Sequence, residues 1–304
     1  MFEGWKIKDK LYVVEALDTT EMIEIASKKN PYSIGNSSEG KDDTWSKGWY
    51  GGTKSVDDAI DIFSKDAWLP PEASQIAANV EHLFNKYIAS PSYIYLDEPG
   101  ILDVGEYLTG SPDYWMGETA DIKLNTGNIG KSITIWTNLS ASCAVEGDTI
   151  IKGGTMIFAL IEILNAKGIP TRLIASDGTT INYSSGYNDT RNIRVVHVKG
   201  FNQSLNSARA AFCVGNPAFF RRFGFRSMEN MGMDLGKEES QKLQKRFGVG
   251  GGYGYPIRDL NKAYIKENFG IDADIVLNAQ TDFNFSKTPE QWIEAQLKEF
   301  QIIQ

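Results

Sequence analysis

The sequence predicts an α/β fold: a doubly wound, mainly parallel sheet with helices on both faces in the C-terminal half, preceded by a smaller α+β region. Three observations predict it. Short apolar, strand-like runs recur at residues 133–136, 172–175, 193–198 and 274–277. A segment apolar on most of its circumference, residues 148–167, separates the first two and carries Ile150, Ile151, Met156, Ile157, Leu160, Ile161, Ile163 and Leu164. Its end is signalled by Lys167-Gly168 followed by Pro170, the residues that stop a helix. The order is therefore β-α-β-β. Strands alternating with long helices bury a parallel sheet on both sides and place ligands at the carboxyl ends of strands.

The elements follow along the chain. Residues 30–52 are rich in Asn, Ser, Gly and Asp but hold Tyr32, Trp45, Trp49 and Tyr50, which predicts an ordered loop anchored by aromatics. Ser55 then caps a short amphipathic helix with Val56, Ala59, Ile60 and Phe63 on one face. A second helix is predicted after Pro70-Pro71, with Ile76, Val80, Leu83 and Tyr87 as its apolar stripe and His82 off it. Residues 90–122 carry seven acids and no Lys or Arg, which reads as a solvated acidic face or a surface for a cation or basic partner. The boundary is placed near 125–130, dividing the chain into an N-terminal α+β region, 1–127, and an α/β domain, 128–304. After the strands, a helical region from about Ser204 breaks at Gly215-Asn216-Pro217 and resumes through Phe219, Phe220 and Met228. A capping box at Thr288-Pro289-Glu290-Gln291 opens a last helix with Ile293, Leu297 and Phe300 on one face.

Composition bounds the function. The 304 residues include 41% hydrophobic and 12% aromatic positions, enough to build a core. A formal net charge of −8 disfavours general binding to nucleic acid or anionic membranes, which rests on phosphate neutralisation by Lys and Arg. Cys143 and Cys213 form no disulfide framework or CxxC pair, consistent with a reducing compartment. No signal peptide or membrane-length apolar stretch is read, so the expected location is bacterial cytoplasm or a particle assembled there.

Four segments carry candidate chemistry. The first, Asn138-Leu139-Ser140-Ala141-Ser142, lies between the first strand of the C-terminal half and its long helix. It resembles the Asp-x-Ser-x-Ser loop of von Willebrand factor A-type domains, over residues 131–200. In that family the acid and the hydroxyls hold magnesium, a hard cation that takes oxygen ligands. The resemblance implies Ser140 and Ser142 as hydroxyl ligands, with Asp177 and Thr179 nearest by position to complete the set. Asn138 replaces the acid and keeps an oxygen without its charge, so the site is read as degenerate and no cofactor is predicted. The alternative is a strand-to-helix turn whose hydroxyls cap the helix.

The second segment, residues 248–254, has five glycines in seven positions. Gly250, Gly251 and Gly252 are candidate ligand-binding residues, since glycine loops cradle phosphates where they join a strand to a helix; a functionally silent turn is the alternative. In the third, residues 199–226, five cations without an acid interleave with Phe219, Phe220, Phe223 and Phe225. Arg221, Arg222 and Arg226 are candidates for nucleic-acid contact, arginine beside aromatics being the chemistry of single-strand platforms. Their alternative is a helix filling a core with its arginines reaching outward. The fourth comprises the histidine and cysteine side chains, for which no catalytic role is read. His197 lies in a strand pattern and reads as a satisfied side chain rather than a general base, and Cys143 has no identifiable partner.

Trp49-x-Gly-Gly-Thr53, residues 103–110, the Asn138 loop and the glycine segment together resemble an uncharacterised family encoded by bacteriophages and bacterial plasmids. With no catalytic constellation, the sequence is read as a non-enzymatic protein-binding or assembly module. Its expected partner is a protein, such as another phage or virion component. The alternatives are a phosphate- or nucleotide-processing enzyme using Ser140, Ser142 and the glycine loop, and nucleic-acid binding through the three arginines.

Overall fold

A computed structural model describes residues 5–8, 11–41, 48–70, 93–95, 101–102, 108, 115–118, 132–166, 169–181, 190–283 and 287–299. The helix read after Pro70-Pro71 with His82, most of the acidic run, and the boundary at 125–130 lie outside the described residues. Along the chain the strands are β1 (Trp5–Lys8), β2 (Leu11–Ala16), β3 (Tyr93–Tyr95), β4 (Ile101–Leu102), β5 (Trp115–Glu118), β6 (Ile133–Asn138), β7 (Thr171–Ile181), β8 (Thr190–Lys199), β9 (Tyr255–Pro256) and β10 (Ile275–Asn278). The helices are α1 (Thr19–Ser27), α2 (Val56–Ser64), α3 (Gly147–Ala166), α4 (Ser207–Gly215), α5 (Phe225–Glu229), α6 (Lys237–Arg246), α7 (Lys262–Phe269), α8 (Ala279–Asp282) and α9 (Pro289–Glu299). A π-helical turn, Phe219–Gly224, runs directly into α5.

By its contacts the chain divides into one unit of residues 1–75 and 132–286 and another of 76–131 and 287–304. This division differs from a cut at 127/128 for a topological reason. The N-terminal strand β2 pairs in parallel with β8, Tyr12 opposite Asn192 and Val14 opposite Arg194, so the first residues complete the sheet of the C-terminal half.

In the first unit the strand order is β1-β2-β8-β7-β6-β10, with β9 against the far end of β7. β10, β6 and β7 run parallel, and α3 is the crossover from β6 to β7. β8 returns antiparallel to β7 as a hairpin arm, which realises the β-α-β-β order. All six residues of β6 are buried, as expected of a strand covered on both faces. One face packs Trp136, Ile174, Ile193 and Val195 against Ile265 of α7 and the flanking Leu260 and Ile271. On the other, Tyr12 and Val14 meet Met228, Met231, Phe247 and Val249. Strands β7 and β8 extend beyond the predicted apolar runs because their hairpin ends carry Asp177, Thr179 and Asn192, polar residues that hide a strand from a hydrophobicity reading yet remain buried here.

The helix ends follow the predicted chemistry. The Ser55 side chain accepts from the Asp58 amide at 3.1 Å. Helices α3 and α4 approach at glycine: a Cβ on Gly154 would lie 2.0 Å from the Gly215 Cα. Gly154→Ala is therefore expected to cost about 2–3 kcal/mol through forced separation of the two helices. Urea denaturation checks this, and an unchanged midpoint would show that the pair can part freely.

The second unit contains a three-stranded antiparallel sheet ordered β3-β5-β4, and helix α9. Thr288 Oγ1 accepts from the Gln291 amide at 3.3 Å while Gln291 Oε1 accepts from the Thr288 amide at 3.1 Å, the reciprocal capping box read from the sequence.

Candidate functional site: a cleft at the carboxyl ends of parallel strands

The loop leaving β6 is organised by Asn138. This side chain is fully buried and all of its hydrogen-bonding capacity is directed inward. Its amide nitrogen donates to the Ile257 carbonyl and Asn278 Oδ1, each at 2.9 Å. Its oxygen accepts from the Ser140 amide at 3.2 Å and the Ser140 hydroxyl at 2.7 Å. Ser140 Oγ in turn accepts from the Gly178 amide at 2.6 Å, tying the loop to β7. Ser142 is half-buried; its amide donates to Gln280 Oε1 at 2.7 Å and its hydroxyl accepts from the Ala144 amide at 3.3 Å.

This arrangement does not fit magnesium. Asn138 and Ser140 are spent on each other and on the backbone, and Asp177 forms an ion pair with Arg194. Thr179 lies two residues beyond Asp177 on β7, but it and Ser142 supply only neutral hydroxyls, too little for an ion that dehydrates reluctantly. The degenerate loop is a structural knot holding two strand ends together.

The glycine segment lies beside it. Gly251 and Tyr253 both donate to the Gly248 carbonyl, at 3.1 and 3.0 Å, and the chain then enters β9, which pairs with Thr179 and Thr180. Gly254 adopts φ +81°, and a side chain there would meet the Thr180 carbonyl at 2.7 Å. Tyr253 also sits at positive φ, 62°, unusual for a residue with a side chain. Its hydroxyl anchors it by donating to buried Glu229 at 2.7 Å and accepting from the Ser37 amide at 3.1 Å. Burial, reinforced by the Glu229 carboxylate, pushes this phenol well above its usual range. Of the predicted glycines, Gly252 lines the site; Gly250 packs against Ile34, and Gly251 is exposed.

The reading of the basic strip as a nucleic-acid surface requires correction. Arg221 and Arg222 are fully buried and Arg226 is 5% exposed. Arg221 donates to the Trp49 and Val145 carbonyls, each at 2.8 Å, and stacks on the Trp49 ring at 4.3 Å. Arg222 lies 3.7 Å over the Tyr50 ring and donates to the carbonyls of Ser38, Gly40 and Thr53 at 2.6–2.7 Å. Arg226 pairs with Glu39. The π-helical turn brings both Arg221 and Arg222 inward, where main-chain carbonyls of residues 38–53 and 142–145 replace the phosphates a surface strip would meet. The expected anchoring of the aromatic loop is realised in its described residues, with guanidinium groups as the anchors.

These parts enclose a cleft of about 480 Å³, within the usual span of ligand pockets. It opens beyond the carboxyl end of β6, beside the part of β7 that runs past it. Ser140, Ser142, Asp177, Thr179 and Gly252, five of the predicted site residues, line it; Asn138 does not. Trp49, Phe220, Phe225, Tyr253 and Tyr255 form aromatic walls, Arg194 is at the floor, and exposed Arg258 and Cys143 are also in the lining. Arg194 and Arg258 carried no local sequence signal, because one is defined by its cross-strand partner Asp177 and the other by its place beyond β9. Burial, against an opposing electrostatic contribution from Tyr12, pulls the Arg194 guanidinium down to about 9, and its ion pair with Asp177 supplies a counter-charge. His197 is absent from the lining; its Nε2 contacts Glu15 at 2.7 Å and its Nδ1 lies 3.1 Å from Arg172. Cys213 is buried, which pushes its thiol well up, whereas Cys143 is exposed.

The family model described as Domain of unknown function (DUF7192) matches residues 6–304. No curated protein matches the chain, and no solved structure does. No helix among the described residues is long and apolar enough to cross a membrane.

Proposed function

The chain belongs to the DUF7192 family of unknown function, and from the geometry of its cleft we propose that it is a small-ligand-binding protein. The observation that carries this reading is the convergence of the Ser140–Ser142 loop and the glycine segment, more than a hundred residues apart in sequence, on one aromatic-walled cleft. Its position outside the carboxyl ends of parallel strands is where open α/β sheets place ligands. The lining supports binding over catalysis. Ser140 is hydrogen-bonded on both sides, Asp177 is held by Arg194, and among the described residues no histidine lines the cleft beside Ser142 or Cys143.

Cys143 supplies the test, because it is the exposed thiol and Cys213 is buried. N-ethylmaleimide is expected to modify Cys143 alone in the native protein and to narrow the cleft. Thermal-shift measurements would cover mononucleotides, sugar phosphates, dicarboxylates, aromatic amino acids and short peptides, the last standing for a segment of a partner such as a virion component. At least one class is expected to raise Tm by about 2 °C or more, and the capped protein to lose that shift. A panel without response, or shifts indifferent to capping, would overturn the reading.

A further inference from the structure

We infer that the ligand of this cleft is a nucleotide, with its base edge at the polar floor and its phosphate at Arg258; this rests on the reading of the cleft as a ligand site. Three features of the lining converge on that class.

The floor is polar yet incompletely hydrogen-bonded. Thr179 is 9% exposed and its hydroxyl has no partner, and Arg194 is 6% exposed with Nε and Nη1 unpartnered. Asn192 is not itself in the lining; cross-strand from Thr179 and 1% exposed, it too has no partner at either end of its amide. Buried polar groups are nearly always satisfied, so this concentration beside a cleft marks where a ligand supplies the missing partners. Asp177 neutralises Arg194, so the floor suits a neutral edge bearing donors and acceptors rather than an anion.

The walls are aromatic. Trp49, Phe220, Phe225, Tyr253 and Tyr255 offer ring surfaces to a planar group, and stacking on such surfaces stabilises a nucleobase whatever its identity. Trp49 is held by Arg221 beneath it, which keeps that wall in place without a ligand.

The remaining cation in the lining is Arg258, exposed and not matched by its neighbour, since Asp259 pairs with Arg191 at 2.8 Å. A guanidinium there, with the Ser142 hydroxyl and the glycine segment also in the lining, suits a phosphate. A planar heterocycle with a polar edge and a phosphate is a nucleotide, free or carried in a single strand.

Isothermal titration would compare the four ribonucleoside monophosphates, their nucleosides, ribose 5-phosphate and a short single-stranded oligonucleotide. One monophosphate is expected to bind at least about 10-fold tighter than its nucleoside, the contribution of a charged hydrogen-bond pair. Arg258→Gln should erase that difference and leave the nucleoside affinity within about 2-fold. Thr179→Val, nearly isosteric and removing a hydroxyl without a partner, should fold with unchanged Tm and alter the preference among the four bases by about 5-fold or more. Tighter binding of the oligonucleotide than of any monophosphate would place the nucleotide in a strand, and the reverse order would make it free; both retain the inference. It is overturned if both substitutions leave every affinity unchanged. It is also overturned if no nucleotide binds while another class gives a capping-sensitive shift, and in that case the reading of the cleft survives. If nothing binds, both fall.

Discussion

Arg222→Leu is expected to remove at least about 4 kcal/mol of stability, the largest single effect in this protein. The guanidinium is fully buried and reaches the Ser38, Gly40 and Thr53 carbonyls together with Thr53 Oγ1. Leucine fills part of the volume but leaves buried acceptors without donors, each costing about 1–3 kcal/mol. Arg222→Lys separates charge from geometry: an ammonium cannot span acceptors on both sides of the planar fork, so about half the loss should remain. The measurement is urea denaturation of both variants. The residues released carry the wall of the cleft, so ligand binding should fall together with stability. A surface role in nucleic-acid contact predicts the opposite pattern, with weaker oligonucleotide binding at an unchanged unfolding midpoint.

Asp177→Asn is expected to cost about 3–5 kcal/mol, because it strands the Arg194 guanidinium in a low-dielectric site without its counter-charge. Arg194→Met should cost a comparable amount by stranding the carboxylate. The informative variant is the double, Asp177→Asn with Arg194→Met, which removes both charges from the buried sheet. Its loss should fall well below the sum of the single losses, with a coupling on the order of 2–3 kcal/mol. Additive losses in the denaturation cycle would mean that the two groups do not sustain each other. Gly224 enforces the pair's position: a Cβ there would lie 2.9 Å from both carboxylate oxygens, so only glycine lets the π-helical turn lie against them.

Much of the fold was legible in the sequence where neighbouring residues determine it. The all-buried β6 and the apolar α3 declare themselves by composition, and Ser55 and Thr288 mark helix starts through contacts three residues away. The Ser140–Ser142 loop was also located correctly, at a strand's carboxyl end. Its role was not. Whether an Asn-x-Ser-x-Ser loop offers oxygens to an ion or consumes them depends on Ile257, Gly178 and Asn278, which a local motif does not contain. The polar hairpin ends of β7 and β8 escaped notice for a related reason. Asp177 and Asn192 lie outside the apolar strand runs, and nothing local marks Arg194, inside the second run, as the partner of Asp177 until the hairpin register sets the two opposite each other.

By itself, then, the sequence determined the β-α-β-β order over residues 133–198, the later strand and last helix, the helix starts at Ser55 and Thr288, and the presence of an aromatic-anchored loop. These depend on periodicity and on hydrogen bonds within a few residues. Only the tertiary structure decided that β2 joins the sheet beside β8, that the three arginines turn inward, and that two distant loops share one cleft. The physical reason is that burial of a charge is set by the partners that meet it. For Arg221 and Arg222 those partners include carbonyls 172 and 184 residues away in the chain, Trp49 and Ser38, which no local pattern encodes.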